Sequence, residues 1–150
     1  MDLAKVDEII DRYPAQREVL IQLLLDVQSE FNWISKEAIL SISAKFQIPI
    51  SQVYRVVSFY EAMSLTPRGK HVVSVCLGTA CHVRGGPRIM NKVEESLRIK
   101  AGKTTQDMKF TLERVNCLGC CAMGPVVVID KDYHGRVTPV NVKKVLKSYD

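Results

Sequence analysis

No cysteine lies before residue 76, no four basic residues run consecutively, and no long apolar stretch occurs anywhere in the 150 residues. Each absence removes a class of protein. The longest apolar stretch, Val19 to Val27, is broken by Gln22 and Asp26. It falls well short of the roughly 18 continuous apolar residues that a membrane span needs, so no direct membrane insertion is expected. The opening Met1-Asp2-Leu3-Ala4-Lys5-Val6-Asp7-Glu8 is acidic at once and has no apolar core. That argues against a signal peptide and for a cytoplasmic chain. The net charge is +5, but the basic residues are scattered, with pairs such as Lys143-Lys144 at most. A nucleic-acid groove needs a clustered stripe, and none is expected here. There is no Gly-x-Gly-x-x-Gly following a strand and no Walker A sequence, so the chain has no nucleotide site of its own. Repeats and low-complexity segments are also absent. A content of 47% apolar and 25% charged residues is that of a folded globular protein.

What is present is concentrated late in the chain. The cysteines are Cys76, Cys81, Cys117, Cys120 and Cys121. An odd number cannot close into a full set of internal disulfides, and a reducing compartment disfavours structural disulfides in any case. The chain therefore divides into a chemically quiet part before the first cysteine and a reactive part after it.

The quiet part reads as a small helical bundle. Leu3, Val6, Ile9, Ile10 and Tyr13 recur at helical spacing until Pro14 interrupts. Val19, Leu20, Leu23, Leu24, Val27 and Phe31 form a second stripe. Ser35 is placed to cap a third helix carrying Ala38, Ile39 and Ile42, and Ser51 a fourth carrying Val53, Val56 and Val57. Thr66-Pro67-Arg68-Gly69-Lys70 is a turn, and it sets the expected boundary: residues 1–65 as a helical docking domain, residues 66–150 as a second domain.

Beyond the turn the periodicity changes. His71 to Cys76 reads as a β-branched strand, and Gly85-Gly86-Pro87 opens a helix with Ile89, Met90, Val93 and Leu97 inward. Lys109 to Val115 alternates as a strand, Val126 to Ile129 reads as a buried strand, and Gly135 to Val137 as a short one paired with it through a turn at Asp132. Thr138-Pro139 begins a last helix with Val142, Val145 and Leu146 inward. The fold class is α+β, with the second lobe in the order β-α-β-β-β-α.

The cysteines lie just beyond the ends of these strands, as Cys76-x4-Cys81 and, after 35 residues, Cys117-x3-Cys121. Two loops thus present two thiolates each, a donor set for a thiolate-bound metal. Structural zinc sites use short Cys-x2–4-Cys knuckles, and intervals of four and three residues leave zinc open. A [2Fe-2S] cluster asks for two thiolates on each of two irons, which slightly wider loops satisfy. Gly78, Gly85, Gly86, Gly119 and Gly124 crowd both loops. Glycines let backbone N–H groups approach sulfur, and this favours a cluster that must accept negative charge.

Val75-Cys76-Leu77-Gly78-Thr79-Ala80-Cys81-His82-Val83-Arg84-Gly85-Gly86 and Asn116-Cys117-Leu118-Gly119-Cys120-Cys121-Ala122-Met123-Gly124-Pro125 resemble the two cluster loops of the thioredoxin-like [2Fe-2S] ferredoxins. That family includes the 24 kDa subunit of complex I (NADH:quinone oxidoreductase) and subunits of NAD(P)-linked hydrogenases and formate dehydrogenases. Tyr13-Pro14 and the segment Val53 to Tyr60 are similar to its N-terminal helical domain, so the resemblance covers nearly the whole chain. It implies a thioredoxin-like second lobe and a [2Fe-2S] cluster held by Cys76, Cys81, Cys117 and Cys121. It implies electron exchange with a flavoprotein subunit that holds FMN and NAD(P), alongside further iron–sulfur subunits. The chain would be one subunit of an oxidoreductase, with no catalytic residue or substrate site of its own. Cys120 stands where many relatives have alanine, and is expected to be a small, partly buried non-ligand. Gly124-Pro125 departs from the Ala-Pro common in complex I members and leans towards the hydrogenase or formate dehydrogenase type.

Other features carry blander expectations. Cys117-Leu118-Gly119-Cys120 is a literal Cys-x-x-Cys, but a dithiol oxidoreductase places that motif where the first strand meets a helix N-terminus. Here Cys76 and Cys81 occupy that place. His82 reads as a surface or outer residue beside the site. His71 and His134 stand alone and receive no role. Arg84 and Arg88 read as solvated, with a lesser option of offsetting cluster charge or meeting an acidic partner. Tyr54, Phe59 and Tyr60 are expected to pack in the core or between lobes.

Overall fold

The computed structural model describes residues 3–149. The chain divides into two compact units, Met1–Pro67 and Arg68–Asp150.

The first unit is helical: α1 (Leu3–Asp11), α2 (Leu20–Phe31) preceded by a 3₁₀ turn over Arg17–Val19, α3 (Lys36–Phe46) and α4 (Ile50–Phe59). The stripes read from the sequence form its core. Val6, Leu23, Leu24, Val27, Ala38, Ile42 and Val53 are fully buried, joined by Ile34 and Ile48 from the connections. The Ser35 cap forms, its Oγ accepting the Ala38 N–H at 3.2 Å. The Ser51 cap does not. α4 starts earlier, with Pro49 as its N-cap residue and the Pro49 carbonyl accepting from Gln52 N at 2.9 Å. Ser51 lies inside the helix and is exposed. Proline's fixed φ organises the helix start without any side-chain cap. Gln28 is a buried polar residue that sequence reasoning passed over. Its Nε2 donates to the Asn32 carbonyl at 2.6 Å and its Oε1 accepts from Ser64 N at 2.8 Å. One amide thus closes the end of α2 and fastens the segment after α4.

The second unit contains β1 (His71–Cys76), α5 (Thr79–Val83), α6 (Gly86–Leu97), β2 (Lys103–Thr104), β3 (Phe110–Val115), β4 (Val127–Ile129), β5 (Asp132–His134) and α7 (Pro139–Lys147). The strands make one mixed sheet in the order β2-β3-β1-β4-β5, in which only β1 and β3 run parallel. Alternation sorts the side chains by face. Val73 and Val75 of β1, Phe110 and Leu112 of β3, and Val127 and Ile129 of β4 join Ile89, Met90 and Val93 of α6 and Val142 and Leu146 of α7 in one core. Cys76 points to the other face, where it clusters with Cys81, Val126 and Val128.

Two elements escaped the sequence reading and one is displaced. α5 and β2 are too short to show a period. The last strand is Asp132–His134, not 135–137, and its turn is at Asp130-Lys131. Asp130 sets that turn. It adopts φ 56° and its carboxylate accepts from Val72 N at 2.9 Å and meets His71 Nδ1 at 2.7 Å, as a short polar side chain in the left-handed region can. Residues 135–137 leave the ladder and bond to the segment before β4: Arg136 N to Met123 O at 2.7 Å and Val137 N to Pro125 O at 3.1 Å.

Candidate metal centre

Parallel pairing of β1 with β3 sets Cys76 opposite Val115. Both strands then end at the same edge of the sheet. The turn after β1 enters α5, which carries Cys81. The chain after β3 carries Cys117, Cys120 and Cys121. The C-terminal edge of parallel strands is where α/β folds place their ligands. A cavity of about 520 Å³ opens there, lined by Cys76, Cys81, Cys117 and Cys121 together with the residues of the β1–α5 turn and Asn116.

The thiols are arranged two and two. Cys76 and Cys81 are buried and lie in one apolar cluster. Cys117 and Cys121 are exposed, with their sulfurs 4.0 Å apart. All five cysteines are free thiols. Among the described residues no three His, Cys, Asp or Glu side chains converge on a single ion position. Two thiols from each cysteine-bearing segment line one cavity, the donor number that two bridged irons require. Burial first, and then the Cys76 thiol, push the Cys81 thiol above its ordinary value. The hydrogen bond from Cys117 and the nearby negative charges do the same for Cys121. Each pair resists carrying two negative charges until a cation sits between them. The donor set therefore fits a [2Fe-2S] group.

Tight backbone approaches shape the cavity. A Cβ on Gly78 would lie 2.4 Å from the Asn116 carbonyl oxygen, so the two cysteine-bearing segments meet here only because this residue has no side chain. Gly119, at φ 76°, turns its N–H to donate to Cys117 Sγ at 3.3 Å, the glycine-to-sulfur donation that the sequence suggested. Cys120 does not line the cavity. It packs with Val115 and Leu118 against the apolar cluster of Cys76, Cys81, Val126 and Val128.

The remaining residues singled out in the sequence distribute as follows. Cys81 lies in a helical turn rather than a loop, and His82 beside it is exposed. Arg84 and Arg88 are exposed, but Arg84 is engaged: its Nη1 donates to the Cys121 carbonyl at 2.7 Å. His71 and His134 are not isolated. The His71 ring lies 5.5 Å from that of Tyr149, and His134 Nε2 meets the Tyr149 hydroxyl at 3.0 Å. The Tyr149 hydroxyl in turn donates to Asp132 at 2.7 Å. Tyr54 and Phe59 are 53% and 79% exposed and Tyr60 is exposed as well, so this trio is not core. Helical spacing alone did not say which side of α4 faced inward at its end. No described helix is long and apolar enough to cross a membrane.

A thioredoxin-like lobe with paired thiols at the C-terminal edge of its parallel strands defines an iron–sulfur electron-transfer protein of the ferredoxin class. The sequence profile of the thioredoxin-like [2Fe-2S] ferredoxins matches residues 6–150, and the chain belongs to that family. It is 36% identical to HndA, an NADP-reducing hydrogenase subunit of Solidesulfovibrio fructosivorans, over 97% of this chain and 85% of that one. It is 35% identical to an NADH-quinone oxidoreductase subunit of Escherichia coli, over 96% of this chain and 87% of that one. Among solved structures, an NAD+-reducing [NiFe]-hydrogenase superposes with a TM-score of 0.74 at 18% identity, over 87% of this chain and 22% of that longer one. That likeness is one of fold. The family places electron transfer through a [2Fe-2S] centre ahead of the zinc-module and dithiol readings.

Proposed function

We propose that Cys76, Cys81, Cys117 and Cys121 hold the [2Fe-2S] centre and that the chain passes single electrons between it and a flavoprotein subunit carrying FMN and NAD(P), within a multisubunit NAD(P)-linked oxidoreductase. The observation that carries this reading is the cavity lined by those four thiols and not by Cys120. When bound, the centre supplies one-electron chemistry. The chain's own residues do the rest. The buried Cys76 and Cys81 anchor the group against the sheet, Cys76 at the end of β1 and Cys81 within α5. The exposed Cys117 and Cys121 leave one edge of the site open to a redox partner. The Gly119 N–H donates to Cys117 Sγ and favours negative charge on that sulfur. HndA and the Escherichia coli relative belong by name to a hydrogenase and to NADH-quinone oxidoreductase, which supports a subunit role with further iron–sulfur partners. Five free thiols suit the reducing cytoplasm.

We further place the docking surface for the flavoprotein on the helical residues 1–65. Exposed Tyr54 and Phe59 support this, because large aromatics on a surface are the usual anchors of an interface.

Anaerobic purification, metal analysis and visible absorption test the metal reading. A red-brown protein with about two irons per chain, giving a paramagnetic signal after dithionite, is the expected result. A colourless protein that holds about one zinc, and takes up no iron on reconstitution, would overturn it. Full-length protein carrying Tyr54→Ala and Phe59→Ala should capture the flavoprotein subunit less well while keeping its colour; unchanged capture would remove the helical docking surface.

A further inference from the structure

Three groups from two segments meet at one point beside the thiols. The point is the position that a Cβ on Gly124 would take: Cys81 Sγ lies 3.0 Å from it, the Cys121 carbonyl oxygen 3.2 Å and Arg84 Nη1 3.5 Å. Arg84 ends α5, its own N–H donating to the Ala80 carbonyl at 3.3 Å. From there its guanidinium reaches across to donate to the Cys121 carbonyl at 2.7 Å. One side chain thus joins the helix that carries Cys81 to the loop that carries Cys121, with its charge close to the Cys81 sulfur. Gly124 leaves the space in which the three groups meet.

We infer that Arg84 is a positioning residue for the metal centre, tying its two cysteine-bearing segments together and raising its reduction potential with a fixed positive charge. This rests on the [2Fe-2S] reading above. A guanidinium keeps its charge at every working pH and forms directional, charge-assisted bonds to a carbonyl. Reduction adds one negative charge to the thiolate-bound group. A cation fixed nearby stabilises the reduced form more than the oxidised one, and net charge is among the quantities that set such potentials. Arg84 is exposed, so its effect is partly screened and should weaken as salt rises.

The test uses the full chain, reconstituted with iron and sulfide, as wild type, Arg84→Ala, Arg84→Gln and Arg84→Lys. Each protein is titrated potentiometrically while the visible spectrum is followed. At a fixed ambient potential the reduced-to-oxidised ratio should drop by up to about tenfold in Arg84→Ala and Arg84→Gln, where tenfold is 59 mV for a one-electron couple. Arg84→Lys should retain most of the wild-type ratio. The difference between wild type and Arg84→Gln should shrink on moving to about 1 M salt. In the metal-free proteins, exchange of the Met123 and Gly124 amides, which bond to the Cys120 and Cys121 carbonyls, should quicken several-fold in Arg84→Ala. Equal potentials in wild type, Arg84→Gln and Arg84→Lys would overturn the inference while leaving the cluster reading intact. If Arg84→Ala does not load, the Gln and Lys variants decide on the same criterion. A wild-type protein that never shows a two-iron spectrum would instead remove the cluster reading, and the role of Arg84 with it.

Discussion

The sulfurs of Cys117 and Cys121 lie 4.0 Å apart on the exposed side of the cavity, while Cys76 and Cys81 form a second pair in its buried wall. The 3₁₀ turn over Cys121–Met123 brings the second sulfur of the exposed pair back towards the first. Cys120 is left turned to the apolar side. The buried pair is held by strand and helix, the exposed pair by one short loop, and single changes around the site should tell them apart.

Single replacements should separate the cysteines by role. Cys76→Ala, Cys81→Ala, Cys117→Ala and Cys121→Ala should each reduce the iron retained after desalting to well under half of wild type. Cys120→Ala should retain it all, because its side chain is absent from the cavity wall. Iron and sulfide assays on the five variants decide the ligand set. Full retention by Cys117→Ala together with loss in Cys120→Ala would exchange their assignments.

Gly78→Ala should destabilise the second unit even without metal. The new methyl would sit 2.4 Å from the Asn116 carbonyl oxygen, a backbone atom that cannot step aside cheaply. Overpacking of this kind costs about 1–3 kcal/mol. Urea unfolding of the metal-free variant measures it, and the reconstituted variant should also lose iron faster.

Gln28→Ala should cost about 1–3 kcal/mol, since a buried partner is removed from both the Asn32 carbonyl and the Ser64 N–H. Ser35→Ala, which deletes a helix cap bonded to Ala38 N, should cost about 1 kcal/mol. Thermal unfolding followed by helical circular dichroism should rank them in that order.

Alkaline stability should bear the mark of Tyr149. Desolvation first, then the hydrogen bond to Asp132 and the negative charge there, push its hydroxyl up to about 12. An unfolded tyrosine ionises near 10. The fold therefore favours the neutral phenol, and its contribution is complete below pH 10 and is lost as pH rises from 10 to about 12. Tyr149→Phe should flatten the fall in melting temperature across that window relative to wild type. In the native protein, absorbance at 295 nm should show a late-ionising tyrosine that the variant lacks.

Much of the architecture is legible in residue order. The stripes through Leu20–Phe31 and Lys36–Phe46, the Ser35 cap and the β-branched run His71–Cys76 each carry a local signal strong enough to survive folding. What was misread had its cause elsewhere in the chain. The Asp130 turn is held by the backbone of Val72, and residues 135–137 are drawn off by Met123 and Pro125. Gln28 finds its second partner at Ser64. The histidines that looked solitary contact side chains remote in sequence, His71 that of Asp130 and His134 that of Tyr149.

Residue order alone settles the kind of chemistry: five cysteines confined to the second half, in two short groups at the ends of strands, next to glycines. Residue types and spacing are local, and local order is enough to say that thiolates will hold a metal group. Which thiols meet is settled by the folded chain. Cys76 and Cys117 are distant in sequence, and they share a cavity because β1 and β3 pair in parallel with Cys76 opposite Val115. The same pairing turns Cys120 away and brings Arg84 to the Cys121 carbonyl. Strand pairing is a long-range interaction, chosen by the burial of Val73, Leu112 and Ile129 in a common core, and no spacing of cysteines encodes it.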